Sequence, residues 1–142
     1  MIDMAPNRRV VLVSGAPGAG KTTLASALAP ALHFPLISKD LIKETLVDAL
    51  GGPVDRAYSR QIGSAAMGVL WALAARCPRV VLEANFRPRS EYERQRLAGL
   101  HAEIVEVYCR CSVEEAARRF EQRAASGLQH AAHVLKTIPP EL

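Results

Sequence analysis

A chain of 142 residues, 49% hydrophobic and 23% charged, has the length and composition of one globular domain with a buried core, which excludes a disordered or fibrous chain. Its formal charge of +4 is mild, and its fourteen arginines are spread along the chain with few aromatics between them, so nucleic acid is not expected as a partner. Three cysteines, Cys77, Cys109 and Cys111, form no C-x-x-C pair; no stretch has signal-peptide character; and the longest apolar run, residues 62–75, is shorter than a membrane span and carries Gly63, Ser64 and Gly68. The expectation is a cytoplasmic protein without disulfide framework, zinc site or membrane anchor.

In chain order, residues 9–13 are a β-branched run bounded by turn residues and read as a short buried strand. Residues 22–32 carry Leu24, Ala27, Leu28 and Ala31 at helical spacing, with Pro30 expected to fray or kink the last turn. A second strand over 34–38 precedes a helix over 41–50, which Gly51-Gly52-Pro53 stops. A long helix over 57–76 follows, its small residues Gly63, Ala65, Ala66 and Gly68 permitting close packing around Trp71. Residues 79–82 form the third strand, closed by Glu83, and Ser90-Glu91-Tyr92-Glu93 has the spacing of a capping box that opens another helix. The fourth strand spans 102–110, and a second capping box at Ser112-Val113-Glu114-Glu115 starts a helix reaching about residue 125. Strands separated by helices predict βαβ units, a mostly parallel sheet with right-handed crossovers, and one domain across residues 1–142.

The chemistry starts where the first strand ends. Val10-Val11-Leu12-Val13-Ser14 runs into Gly15-Ala16-Pro17-Gly18-Ala19-Gly20-Lys21-Thr22-Thr23 and then a helix, which is a Walker A loop in its confirming context. Glycines there let successive N–H groups wrap a phosphate, and the helix N-terminus adds its dipole. Lys21 would reach the β- and γ-phosphates and the Thr22 hydroxyl would bind Mg²⁺. Ligands of open parallel sheets bind beyond the carboxyl ends of the strands, so Asp40 after the second strand and Glu83 at the end of the third should face that loop. Carboxylates so placed can bind Mg²⁺ through water or accept a proton from an attacking hydroxyl. A helix-start carboxylate and a surface ion pair are their plainer readings.

Lys43 could contact substrate or pair with a neighbouring acid. Arg87 and Arg89 stand where an anionic substrate or solvent could meet them. In the last helix, Glu114 to Arg118 and Glu115 to Arg119 have favourable i,i+4 spacing, whereas Arg119 and Arg123 are like charges four apart, an arrangement that an anion would relieve. A lid over ATP is the functional reading of that helix.

The segments SGAPGAGKTTLA, PLISKDLIKETL, VVLEANFRPRSE and VEVYCRCSVEEAARRFEQRA resemble small P-loop kinases of the AAA-type ATP-binding family, a group with chloramphenicol phosphotransferase-like, zeta-toxin-like and polynucleotide-kinase-like members. The resemblance implies a P-loop three-layer α/β/α fold with strand order 2-3-1-4, commonly completed by a fifth edge strand. It also implies transfer of the ATP γ-phosphate to a hydroxyl, with ATP and Mg²⁺ as cofactors and a small-molecule acceptor. Asp40 stands in the place of the acid that orients or activates the acceptor, Glu83 in that of a strand-end acid, and Arg119 or Arg123 in the lid. Residues 129–142 offer no convincing fifth strand, so either the chain is truncated or an abbreviated nucleotide site is natural; His130 and His133 lack a third ligand. A nucleotide-binding module without transferase activity, and a kinase of nucleic-acid ends, are the alternatives.

Overall fold

The computed structural model describes residues 7–16, 18–87, 90–110 and 113–125. Its elements are β1 (Arg9–Ser14), α1 (Lys21–Leu32), β2 (Leu36–Ser38), α2 (Lys39–Leu50), α3 (Arg56–Ala74), β3 (Arg79–Glu83), α4 (Glu91–Gly99), β4 (Glu103–Tyr108) and α5 (Val113–Ala125). The strands form one parallel sheet in the order β2-β3-β1-β4, as expected.

Period-two alternation within β1 decides what each face of the sheet packs against. Val10 and Leu12, with Val80 and Leu82 of β3, pack against Leu70, Trp71 and Ala74 of α3 and against Phe86 and Leu100. Val11 and Val13, with Val81, pack on the other side against Ala25 and Ala29 of α1. A central strand buried on both faces cannot alternate polar and apolar residues, which is why β1 and β3 read as continuous apolar runs. At the edge of the described sheet β4 leaves Val105 and Tyr108 exposed.

Several boundaries differ from the sequence reading for local reasons. Helix α1 carries Pro30 inside its last turn and still reaches Leu32, ending at His33 in the left-handed region, whose N–H reaches the carbonyls of Ala29 and Pro30. Helix α2 begins at Lys39, two residues earlier than predicted, because the Ser38 side chain accepts from the Leu41 N–H as its cap. Asp55 caps α3 by accepting from Tyr58 N–H at 2.7 Å, and Arg8 donates to the carbonyls of Ala74, Ala75 and Cys77 at the other end of that helix. Ser90 caps α4 as the capping box requires, but the Glu93 carboxylate takes the N–H of Arg87 rather than that of Ser90. Burial pushes the Glu93 carboxyl up, and the Arg87 N–H opposes that shift. The predicted Ser112 cap lies outside the described residues.

One glycine joins the strand edge to the loop. Gly15 has φ +144°, and a Cβ on it would stand 2.7 Å from the Cys109 carbonyl oxygen and 3.2 Å from the Cys109 Cβ. Both contacts are with backbone or near-backbone atoms held by the Cys109 N–H bond to the Ser14 carbonyl, so neither can swing away. Gly15→Ala should therefore lose on the order of 2–4 kcal/mol of stability by chemical denaturation. A midpoint equal to that of the parent protein would contradict this account of the loop entry.

Candidate active site

The loop between β1 and α1 is shaped by three glycines with positive φ, Gly15, Gly18 at 84° and Gly20 at 91°. Gly20 occupies the N-cap position of α1 in the left-handed region; it offers no side-chain cap, and the first turn carries no acidic residue. A helix start without a side-chain cap or an acidic first turn is the arrangement that suits an anion. Lys21 folds back over the loop, its Nζ donating to the Gly15 carbonyl at 2.8 Å and to the Ala16 carbonyl at 3.3 Å. Pro17 lies outside the described residues.

Thr22 points the other way, across the sheet end. Its Oγ1 donates to Glu83 Oε1 at 2.5 Å. Glu83 is only 3% exposed, and its Oε2, like the hydroxyl of the neighbouring Ser14, is buried with no hydrogen-bond partner among the described residues. A buried carboxylate oxygen without a donor is costly unless a cation or water meets it. The donors gathered here are all oxygen, the set that suits Mg²⁺, and Mg²⁺ characteristically takes one or two carboxylates together with water and phosphate. No group of three or more His, Cys, Asp or Glu side chains able to hold a metal occurs among the described residues.

Register brings the second carboxylate to the same edge. Ser38 pairs with Glu83, and Glu83 pairs with Val13, so Asp40, two residues beyond Ser38 in the first turn of α2, starts from the sheet edge that bears the loop. Its side chain is 56% exposed and lies 3.6 Å from Lys39 Nζ. Asn85 and Arg87 are exposed on the segment after β3, while Arg89 lies outside the described residues.

On α5 the predicted pairing is only half met. Glu115 receives both Arg118, at 2.6 Å, and Arg119, at 2.7 Å, whereas Arg118 was predicted to pair with Glu114. The carboxylate at i−3 can take the guanidinium in bidentate fashion, and hydrogen bonds from Arg118 and then Arg119 hold Glu115 below the usual carboxylate range. Arg119 is thus engaged within its own helix. The side chain of Arg123 lies outside the described residues, as do the tail histidines.

The sequence reading left Lys43 undecided, and the structure buries it. Its side chain lies between α2 and α3, buried to 7% exposure, with Nζ donating to the Ser59 hydroxyl at 2.8 Å. Burial first, and then the charge of Lys39, lower its pKa to about 8, while Asp40 opposes the shift. Helical spacing alone could have flagged Lys39 and Lys43 as one face; the burial comes from α3, which no local pattern announces.

Comparisons with known proteins bear on the family and the fold. The AAA domain family matches residues 10–138, and the chain belongs to it, within its P-loop kinase-like branch. A candidate kinase from Chloroflexus aurantiacus J-10-fl is similar at 34% identity and TM-score 0.82, over 89% of this chain and 71% of that one. The Mycobacterium tuberculosis APS kinase CysC, solved with AMPPNP and APS, shares the fold at 22% identity and TM-score 0.58, over 87% of this chain and 77% of its own. A chain of the Pnkp1/Rnl/Hen1 RNA repair complex shares it at 19% identity and TM-score 0.59, over 94% of this chain and 40% of that one. No curated protein matches the sequence. No helix among the described residues is long and apolar enough to cross a membrane.

Lys43 allows a test of the buried charge by stability alone. Unfolded, the amine holds its proton up to about 10.5; folded, it releases it near 8, so folding is opposed by the charged form at neutral pH. Native stability should rise as pH climbs through that window, and Lys43→Met should add roughly 1–3 kcal/mol at pH 7 while flattening the rise. Denaturant midpoints of both proteins between pH 7 and 10 check this; a destabilised Lys43→Met with an unchanged pH slope would show the ammonium to be well solvated.

Proposed function

We propose that this protein is an ATP-dependent phosphotransferase that moves the γ-phosphoryl group to a hydroxyl of a small molecule. The observation that carries the reading is the meeting, at one sheet edge, of a phosphate-shaped loop, the hydrogen bond from Thr22 to the buried Glu83 and the exposed carboxylate of Asp40. A nucleotide-binding module alone needs the first two. An exposed acid beside them is what an acceptor hydroxyl requires.

In this reading the N–H groups of the segment from Gly15 to Thr23 hold the phosphates, and Lys21 leaves the carbonyls of Gly15 and Ala16 to lie along the β- and γ-phosphates. Thr22 and Glu83 would hold Mg²⁺, which when bound supplies charge neutralisation between the phosphates. Asp40 orients the acceptor hydroxyl and takes its proton as the oxygen attacks. Arg119, released from Glu115, and Arg123 would close on the transferring group from α5. A small-molecule acceptor is favoured over nucleic acid because the arginines are spread along the sequence with few aromatics between them.

The test is incubation with ATP, Mg²⁺ and a panel of hydroxyl metabolites plus a 5′-hydroxyl oligonucleotide, reading ADP release and mass gain of the acceptor. Lys21→Ala should weaken ATP binding at least about tenfold in a folded protein, and unchanged calorimetric affinity would reject the loop assignment. Asp40→Asn should keep ATP affinity while transfer falls by roughly 10² or more, because Asn serves nearly as well at a helix start but cannot take a proton. Near-parental transfer by Asp40→Asn would remove Asp40 from the chemistry. Tight ATP binding with no transfer to any acceptor would favour the module.

A further inference from the structure

The end of the sheet opposite the glycine loop carries a second concave surface. A cleft of about 570 Å³ lies there, its lining including Asn7, Arg8, His33, Arg76, Cys77 and Arg79. The entry to β1, the turn after α1 and the turn between α3 and β3 bring these residues together. Strand β1 runs from Arg9 to Ser14 before the glycine loop begins, so roughly 17 Å of strand separates the cleft from that loop.

The charge of the cleft is one-sided. Arginines and a histidine line it, and among the described residues no aspartate or glutamate does. Basic side chains at this edge have a plain use, since α1 and α3 both end here and expose carbonyls. That use accounts for Arg8, whose Nη2 donates to the carbonyls of Ala74, Ala75 and Cys77. It does not account for the others. The end of α1 is closed by the backbone N–H of His33, not by its imidazole. Arg79 donates to the neutral amide oxygen of Asn7 at 3.2 Å, and the Arg76 side chain has no polar partner among the described residues. Register adds to the imbalance. Arg79 is the direct neighbour of Arg9 on the adjacent strand, whereas the nearby acid, Glu103, lies 3.8 Å from Arg9 on β4, the strand on the far side of β1 from Arg79.

We propose that this cleft is a second anion site, for a small molecule bearing a phosphate or pyrophosphate group, held chiefly by Arg76 and Arg79 with His33 and Asn7 as further donors. Planar guanidinium groups take phosphoryl oxygens in bidentate fashion, and a bound anion relieves the crowding of like charge that the fold leaves here. The volume is that of a site for a metabolite-sized ligand, whose uncharged part rests on Pro35 and Pro78. Glu103, its side chain 68% exposed, bounds the basic surface on the β4 side, so a long polyanion laid along this edge would meet a carboxylate. That favours a small ligand over nucleic acid. The site stands whether or not the glycine loop transfers phosphate.

Two thiols report on the two ends of the molecule. Cys77 lines the cleft, Cys109 stands beside Gly15 at the glycine loop, and both are half-buried. The full chain is treated with iodoacetamide at constant ionic strength over a range of inorganic pyrophosphate, and alkylation of each cysteine is followed by peptide mass. Pyrophosphate should slow the labelling of Cys77 saturably. Arg76→Glu and Arg79→Glu, both at exposed positions, should each raise the half-protecting concentration at Cys77 about tenfold or more and leave that at Cys109 unchanged, whereas Lys21→Ala should do the reverse. Phenyl phosphate protecting Cys77 as well as pyrophosphate does assigns a phosphate ester; protection by pyrophosphate alone assigns a diphosphate. Labelling of Cys77 that ignores pyrophosphate, protection equalled by sodium chloride at the same ionic strength, or protection lost in Lys21→Ala and kept in both arginine variants would overturn the site. A single-stranded oligonucleotide that protects Cys77 at a tenfold lower phosphate concentration than pyrophosphate would overturn the small-molecule assignment in favour of nucleic acid.

Discussion

Glu83 ends a strand that has a neighbour on each side, and its carboxylate is almost wholly removed from water. An ionised carboxylate in that place needs donors or a cation, since an isolated one costs several kcal/mol. The chain meets only half of the demand. The Thr22 hydroxyl takes Oε1, which pins the first turn of α1 to the end of β3, and Oε2 has no partner among the described residues. For Thr22 to reach across, α1 must start at the sheet edge with no residue of its own closing over the first turn, and the positive-φ glycines allow that start. Loop shape, helix direction and buried acid are thus a single arrangement. Its unfinished side faces the place where phosphate oxygens and a metal ion would complete it.

The parallel register extends the same edge to the second half of the site. Because Ser38 pairs with Glu83, the chain leaves β2 level with the buried acid, and the Ser38 cap turns it at once into α2. Asp40 therefore lies in the first turn of a helix, at the sheet edge that bears the loop. Helix α3 returns along α2 and closes a small apolar cluster with it, Val47 against Ile62. Lys43, one turn before Val47 on the same face, is carried into that contact by helical periodicity. A fold needing only an amphipathic α2 would be served better by a methionine there. The ammonium there is held at a cost in stability.

Much of this could be read from the sequence because it is local. The β-branched runs of β1 and β3, the spacing from Gly15 to Thr22 and the Ser90 cap each announce themselves within a few residues, and the alternation of strand and helix leads to the 2-3-1-4 sheet through the family resemblance. What escaped was set by distant neighbours. Glu83 could be placed at a strand end, but not as a carboxylate bonded by Thr22 sixty-one residues away. Lys43 could be placed beside Asp40, but its burial is imposed by Ser59 and Gly63 on another helix. Even on a surface helix, spacing rules admitted two answers for Arg118, and the bidentate geometry to Glu115 was chosen over the i−4 partner.

That choice on α5 bears on how the two ends of the site can respond to a ligand. Arg118 and Arg119 share one carboxylate at the surface, where an ion pair contributes at most about 1 kcal/mol and salt weakens it further. A triphosphate offers a guanidinium several acceptor oxygens and more charge than Glu115 does, so Arg119 can exchange partners with little opposition. The pairing seen within the helix is therefore compatible with a lid role. Lys43 has no such freedom: moving its ammonium to water would break the bond to Ser59 and open the contact between α2 and α3. Burial holds Lys43 in place, whereas exposure leaves Arg119 able to change partners. Of the two, only the pairing on α5 can rearrange without disturbing a packed contact between helices.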